Sequence, residues 1–265
     1  MVMGVLNVTP DSFSDGGRYF DPGVAVERGR AMAEEGADVV DVGGESTRPG
    51  AGPVDEREEL RRVVPVVEEL AGTVRVSVDT TKPAVARAAV AAGATLLNDI
   101  SGTLWPLASE LSVGWIGMHM RGTPATMDSL ATYDDVVAEV RVHLEHLAAS
   151  ARSAGVREVW VDPGIGFAKR AEHNLQLLAA LGAVVGDVRP LGAGVVVGTS
   201  RKSFLGRIGA GGGTIPVDDR LEASLATAVW CMAAGAGMVR VHDVAATVRA
   251  ACLVGSSARE RTAVA

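Results

Sequence analysis

Asp79, Asn98, Asp162 and Lys202 bring two carboxylates, an amide and an ammonium group, and each closes or closely follows a short apolar run. Together they present acceptors and donors suited to a flat heterocycle with a guanidine-like edge beside a carbonyl. A carboxylate accepts the paired N–H bonds of such an edge, and lysine donates to the carbonyl oxygen. Met118 and Phe167 are candidates for the apolar faces of the ring, although each taken alone reads as ordinary core. A second group is cationic: Arg48, Arg201, Lys202, Arg240 and His242. The neighbouring loops TPDSFSDGG (Thr9–Gly17), GGESTRPGAG (Gly43–Gly52) and SRKSFLG (Ser200–Gly206) are rich in Gly, Ser and Thr. Backbone N–H groups, hydroxyls and positive charge fit a phosphate or diphosphate; the alternative is a set of solvated surface cations. The loops match neither a P-loop nor a dinucleotide fingerprint.

Such residues need a scaffold that turns them toward one cavity. Eight short β-branched runs supply it: Met3–Asn7, Val39–Val42, Arg75–Asp79, Leu96–Asp99, Trp115–His119, Val159–Asp162, Val195–Thr199 and Met238–Val241. Polar residues stand at their C-terminal ends: Asn7, Asp41, Asp79, Asn98 with Asp99, His119, Asp162, Thr199 with Ser200, and Arg240 with His242. Several runs are almost continuously apolar, as expected of strands covered on both faces. Helical patterns separate them. Pro22 precedes a helix over Val24–Glu35 that Gly36 stops, Pro83 opens a helix ending near Gly93, and the longest amphipathic stretch, Tyr133–Ala154, is closed by Gly155.

About eight such units in about 250 residues predict a parallel sheet closed as a (β/α)8 TIM barrel. It would form a single domain over residues 1–265, with residues 256–265 as a frayed tail. An open doubly wound sheet is the structural alternative. In the barrel, the polar ends meet at the C-terminal rim, where this fold carries its chemistry. Any one of them alone reads as a cap on a neighbouring helix or turn, and Asp99 suits that role. Taken together they point to one cavity, because carboxylates and amides are costly to bury without partners.

Composition narrows the class. The chain is 48% hydrophobic but only 4% aromatic, and its abundant Ala, Val and Gly suit close packing of strands and helices. Net charge is −7 with no strongly basic stretch, which argues against a nucleic-acid partner. No apolar run approaches the ~20 residues of a membrane span. The start MVMGVLNVTP lacks a basic n-region, so a cytoplasmic location is expected. Cys231 and Cys252 both read as small buried hydrophobes rather than as a disulfide or zinc framework. The stretch GAGGG (Gly209–Gly213) reads as a mobile surface loop.

Eight segments carry a family resemblance: LNVTPDSFSDGG (Leu6–Gly17), DVGGESTRPGA (Asp41–Ala51), SVDT (Ser77–Thr80), NDISG (Asn98–Gly102), MHMRGTPATM (Met118–Met127), DPGIGFAK (Asp162–Lys169), GTSRKSFLG (Gly198–Gly206) and RVHDV (Arg240–Val244). Spanning almost the whole chain, they resemble the dihydropteroate synthases, the folate-pathway enzymes inhibited by sulfonamides. The resemblance implies that 4-aminobenzoate displaces diphosphate from (7,8-dihydropterin-6-yl)methyl diphosphate, giving 7,8-dihydropteroate. It implies a pterin site of Asp79, Asn98, Met118, Asp162, Phe167 and Lys202, with Asp79, Asp162 and Lys202 also catalytic. It further implies a Mg²⁺ cofactor on Asn7, diphosphate on Thr47, Arg48, Arg240 and His242, and aminobenzoate beside Phe13, Pro49, Lys202 and Ser203. It implies a homodimer through the barrel helices, which the Ala/Gly-rich helices after strands six to eight suit. The segment TLWPLASE after NDISG is short, so the helix there is expected to be abbreviated, and little chain precedes strand one to seal the barrel floor.

The implied chemistry suits the residues. An arylamine is a weak nucleophile, so catalysis must help the leaving group, with cations neutralising charge on diphosphate. Asp79 and Asp162 would stabilise the pterin methyl cation left behind. No protein nucleophile is needed, and no triad surrounds Ser200. Two other functions remain open at this stage: a catalytically silent pterin-binding paralogue, and a methyltransferase acting on methyl-folates. Degraded loops would mark the first, whereas the second would not be expected to need ESTRPG or GTSRKSFLG.

Overall fold

The computed structural model describes residues 1–9, 22–47, 50–207 and 213–263, with residues 256–263 described as backbone alone. Eight parallel strands form the centre: β1 (Val2–Asn7), β2 (Val39–Gly43), β3 (Arg75–Asp79), β4 (Leu96–Asp99), β5 (Gly114–Met118), β6 (Val159–Asp162), β7 (Ala193–Val197) and β8 (Met238–Val241). Each pairs with its successor, and β1 pairs with β8, so the sheet closes and the open-sheet alternative is excluded. Closure also leaves no unpaired strand edge.

Helices α1 (Pro22–Glu34), α2 (Glu56–Leu70), α3 (Pro83–Ala91), α4 (Trp105–Leu111), α5 (Val136–Ser153), α6 (Ala171–Ala179), α7 (Leu181–Val188), α8 (Ser203–Arg207), α9 (Leu221–Ala233) and α10 (Val244–Ala263) surround it. The helix after β4 has only seven residues, matching the abbreviation read from TLWPLASE. None of the described helices is long and apolar enough to cross a membrane.

Several boundaries shift by a residue or two, and three differences have a clear structural origin. α5 starts at Val136, because the Asp135 side chain accepts from the Val137 and Ala138 N–H groups as an N-cap. Tyr133 therefore lies outside the helix. β7 stops at Val197 because the chain turns at once: the Lys202 N–H bonds to the Thr199 carbonyl and Arg201 takes φ 59°. α10 stays helical to Ala263, so its backbone covers most of the segment expected to fray. The GAGGG stretch lies outside the described residues except for Gly213. Cys231 is buried as expected, but Cys252 is exposed, because it falls on the outward side of α10.

Alternate residues of each strand point inward. The lower interior layer is apolar, formed by Met3, Val39, Leu96, Ile116, Val196 and Met238 with Trp160 packed against them. Gly194 makes room for the Trp160 indole, since a Cβ there would lie 2.4 Å from the ring. Below, Arg75 makes a two-pronged bond to Glu158 (2.9 and 2.5 Å), and Trp160 Nε1 donates to the same carboxylate at 2.8 Å. These groups close the barrel floor. The outward faces pack on the helices through residues such as Leu6, Val42, Val78, Leu97 and Val161.

Candidate functional site

Above the apolar layer the inward positions turn polar. Asp41 is fully buried on β2, and its Oδ2 accepts from Asn98 Nδ2 (2.8 Å) and Arg240 Nε (2.7 Å). Arg240 Nη2 reaches Asp79 Oδ2 at 2.9 Å. One guanidinium thus binds two carboxylates carried by the neighbouring strands β2 and β3. The bond to Asp41 also orients the Asn98 amide, so its Oδ1 remains the acceptor for a ligand. Burial pushes the Asp79 carboxyl up to about 7, against the pull of Arg240; the carboxylates of Asp41, Glu59 and Asp99 act in the same direction as burial.

Asp162 and Lys202 form the opposite wall. Asp162 Oδ1 accepts from the Gly164 N–H at 2.7 Å. Burial raises its carboxyl above the usual carboxylate range, opposed first by Lys202. Lys202 lies over the Phe167 ring, 4.3 Å from its centroid, and donates to the Ile165 carbonyl. Burial lowers its ammonium to about 8, while Asp162 pulls the other way. The Arg240 charge acts on both Asp162 and Lys202, so the two walls share one electrostatic environment. Met118 is buried at the end of β5, in register with Asp162.

On the anion side, His242 Nδ1 lies 3.0 Å from Ser200 Oγ, which also accepts from the His242 N–H. Thr47 is half-buried, and Ser203 is exposed at the first residue of α8. Arg48, Phe13 and Pro49 lie outside the described residues. Arg201 departs from expectation: its guanidinium is held by Asp243 at 3.2 and 2.6 Å, outside the Asp79–Asp162 cavity. Its left-handed backbone turns the side chain that way. Three other strand-end residues do structural work. Asp99 accepts from the Ser101 and Leu104 N–H groups and from Trp115 Nε1, so it caps the turn that leads into α4, whose own N-cap is Leu104. His119 is tied to Lys169, and Thr199 to Thr227.

Some site residues were not singled out from the sequence. Asp41 was read only as one strand end among eight, yet it joins Asn98 to Arg240; its even spacing from inward Val39 is the signal that could have found it. Lys169 sits under the turn after β6, described below. Lys82 donates to both Glu45 and Glu59, and Glu45 accepts from the Val54 N–H at 3.1 Å. Arg62 holds the Gly44 carbonyl at 2.9 Å. These bonds brace the loop that carries Thr47, and no local sequence pattern reports them.

Residues 3–242 match the family model described as pterin binding enzyme. A dihydropteroate synthase of Mycobacterium leprae is 49% identical over 96% of this chain and 92% of its own length. That of Escherichia coli K12 is 44% identical over 94% and 88%. A Yersinia pestis dihydropteroate synthase solved with a sulfonamide drug superposes with TM-score 0.87 and 41% identity, covering 97% of this chain and 94% of the other. A Xanthomonas albilineans enzyme in complex with 7,8-dihydropteroate gives 0.83 and 40%, over 97% and 92%.

Proposed function

The chain belongs to the pterin-binding enzyme family, and on that premise we propose how its cavity performs the reaction of a dihydropteroate synthase. 4-Aminobenzoate displaces diphosphate from (7,8-dihydropterin-6-yl)methyl diphosphate, giving 7,8-dihydropteroate and diphosphate. The observation that carries this reading is the single network Asn98–Asp41–Arg240–Asp79, facing Asp162 and Lys202. It offers carboxylate and amide acceptors to ring N–H groups and an ammonium to the ring carbonyl. Met118 and Phe167 cover the ring.

Departure of diphosphate leaves positive charge on the pterin methylene and ring. Asp79, buried, and Asp162, half-buried, are fixed carboxylates on which that charge can fall, and such preorganised charge supplies several kcal/mol of transition-state stabilisation. Asp41 and Asp79 occupy Nε and Nη2 of Arg240, while Nη1 has no acceptor among the described residues and is left for the diphosphate, beside His242, Thr47 and Arg48. Lys202 and Ser203 border the aminobenzoate, with Phe13 and Pro49. No covalent enzyme intermediate is required.

Asn7 would hold Mg²⁺. By strand alternation its amide faces inward beside Gly43. Among the described residues no group of three His, Cys, Asp or Glu forms a metal cage. A single hard oxygen donor still fits Mg²⁺, which keeps waters and substrate phosphate oxygens and takes few protein ligands. When bound there, the ion would supply charge neutralisation to the departing diphosphate.

Diphosphate release that requires both substrates is the expected result of a direct assay. Pterin binding without release would favour the silent paralogue, and methyl transfer from a methyl-folate the methyltransferase. A homodimer is part of the same proposal. Supporting it, Leu175 on α6, Leu221 and Trp230 on α9 and Leu253 on α10 are large exposed hydrophobics on the helices after β6 to β8. Sedimentation at micromolar concentration is expected to show twice the chain mass; a strictly monomeric species would exclude the dimer.

A further inference from the structure

Lys169 is a half-buried cation to which the reaction above assigns no task. Its Nζ lies 2.9 Å from His119 Nδ1 and within 3.0, 3.1 and 3.3 Å of the Phe167, Gly164 and His119 carbonyl oxygens. An ammonium has three protons, so four acceptors crowd one donor. The turn it holds is unusual: Gly164, Gly166 and Ala168 all adopt positive φ (67°, 81° and 49°). Left-handed backbone is unfavourable for alanine and persists only where surrounding contacts enforce it. The same turn presents both groups that face the pterin from β6. Its Gly164 N–H fixes Asp162, and its Phe167 ring lies against Lys202. Lys202 grips the turn from the opposite side at the Ile165 carbonyl. Gly166 must lack a side chain there, since a Cβ would come 2.7 Å from Lys202 Cδ.

We propose that Lys169 is a positioning residue for the pterin site: it clamps the turn after β6 and so holds the Gly164 N–H on Asp162 and the Phe167 ring against Lys202. The proposal rests on the pterin-site reading. The charges that face Asp162 are Lys169, Lys202 from the loop after β7 and Arg240 from β8, and the Cys231 thiol of α9 senses it. Those that face Lys169 are Asp162, Lys202 and Arg121, with His119 bonded to it and His143 of α5 edge-on to His119 at 4.9 Å. Burial draws the Lys169 ammonium down to about 7 while Asp162 pulls it up. Below that pH Lys169 is charged, in the range where Asp162 would otherwise take a proton. His119 does not compete for that proton, because burial and the Lys169 charge hold its imidazole far below the usual histidine range.

The test uses the ligand-free whole chain with ¹³C at aspartate carboxyl carbons, the Asp162 signal being assigned by its loss in Asp162→Asn. In Lys169→Gln and Lys169→Met the Asp162 titration midpoint should rise by about one pH unit, a roughly tenfold gain in proton affinity. In Lys169→Arg, which keeps the charge, it should stay near the native value. Steady-state kinetics should show KM for the pterin diphosphate rising several-fold, more in Lys169→Met than in Lys169→Gln, with KM for 4-aminobenzoate unchanged. An unmoved Asp162 midpoint in folded Gln and Met variants would overturn the proposal, as would equal increases in both KM values. A native chain without turnover would instead remove the synthase reading, and the titration would still decide the coupling of Lys169 to Asp162.

Discussion

Arg240 divides one guanidinium between two tasks. From its place beside His242 it reads as a diphosphate ligand, yet two of its three nitrogens are engaged by Asp41 and Asp79. Arg240→Ala would leave two buried carboxylates on neighbouring strands without a counter-charge, a loss typically of about 3–5 kcal/mol. The expected outcome is a clear drop in Tm together with weaker binding of both a bare pterin and its diphosphate, measured by thermal unfolding and calorimetry. Weakening confined to the diphosphate ligand at unchanged Tm would contradict the shared role. Asp79 sets the pH response. Its carboxyl is raised to about 7, so it is ionised above that pH and takes a proton as pH falls through it. Protonation removes the partner of Arg240 Nη2 and an acceptor for the ring. kcat/KM for the pterin diphosphate is therefore expected to fall on the acid side of about 7, and this limb should be absent from the residual activity of Asp79→Asn. A pH profile of both proteins checks it, and a flat acid limb in the native enzyme would refute the assignment.

At the scale of the element, β5 shows how tightly strand and helix are fitted. Trp115 is fully buried and its Nε1 donates to Asp99 at 3.2 Å. The indole lies across Gly117, where a Cβ would come 2.1 Å from the ring. Gly117→Ala should therefore displace the indole and cost at least the ~1–3 kcal/mol typical of overpacking, read as a lower denaturant midpoint. An unchanged midpoint would mean the indole relocates freely. Strands and most helices were legible in the sequence because apolar runs and Pro or Gly boundaries are local signals. The start of α5 was missed because amphipathic periodicity continues past its N-cap, and only the backbone shows Asp135 accepting from Val137 and Ala138. The end of β7 was missed because Gly198 and Thr199 continue a strand-like run that the turn at Arg201 cuts short.

The whole molecule separates its two ends: polar, partly unpaired groups at the C-terminal mouth, and an apolar layer closed by Arg75, Glu158 and Trp160 at the floor. An ion pair that is about one-third exposed is worth at most about 1 kcal/mol. Glu158→Gln is thus expected to lower unfolding free energy slightly and leave both KM values and kcat unchanged; a kinetic effect would show that floor and mouth are coupled. The sequence by itself determined the barrel, the rim and the polar set Asp79, Asn98, Asp162 and Lys202 at its mouth, since strand ends and their polar residues are written in local order. Only the tertiary structure decided that Asp41 links Asn98 to Arg240, that Arg201 turns away to Asp243, and that Lys169 lies beneath the Asp162 turn. The Asp41–Arg240 bond depends on closing the sheet, which brings β8 beside β1 and sets residues about two hundred positions apart within hydrogen-bond reach, whereas Arg201 and Lys169 are placed by left-handed turns whose backbone the residue pattern does not report.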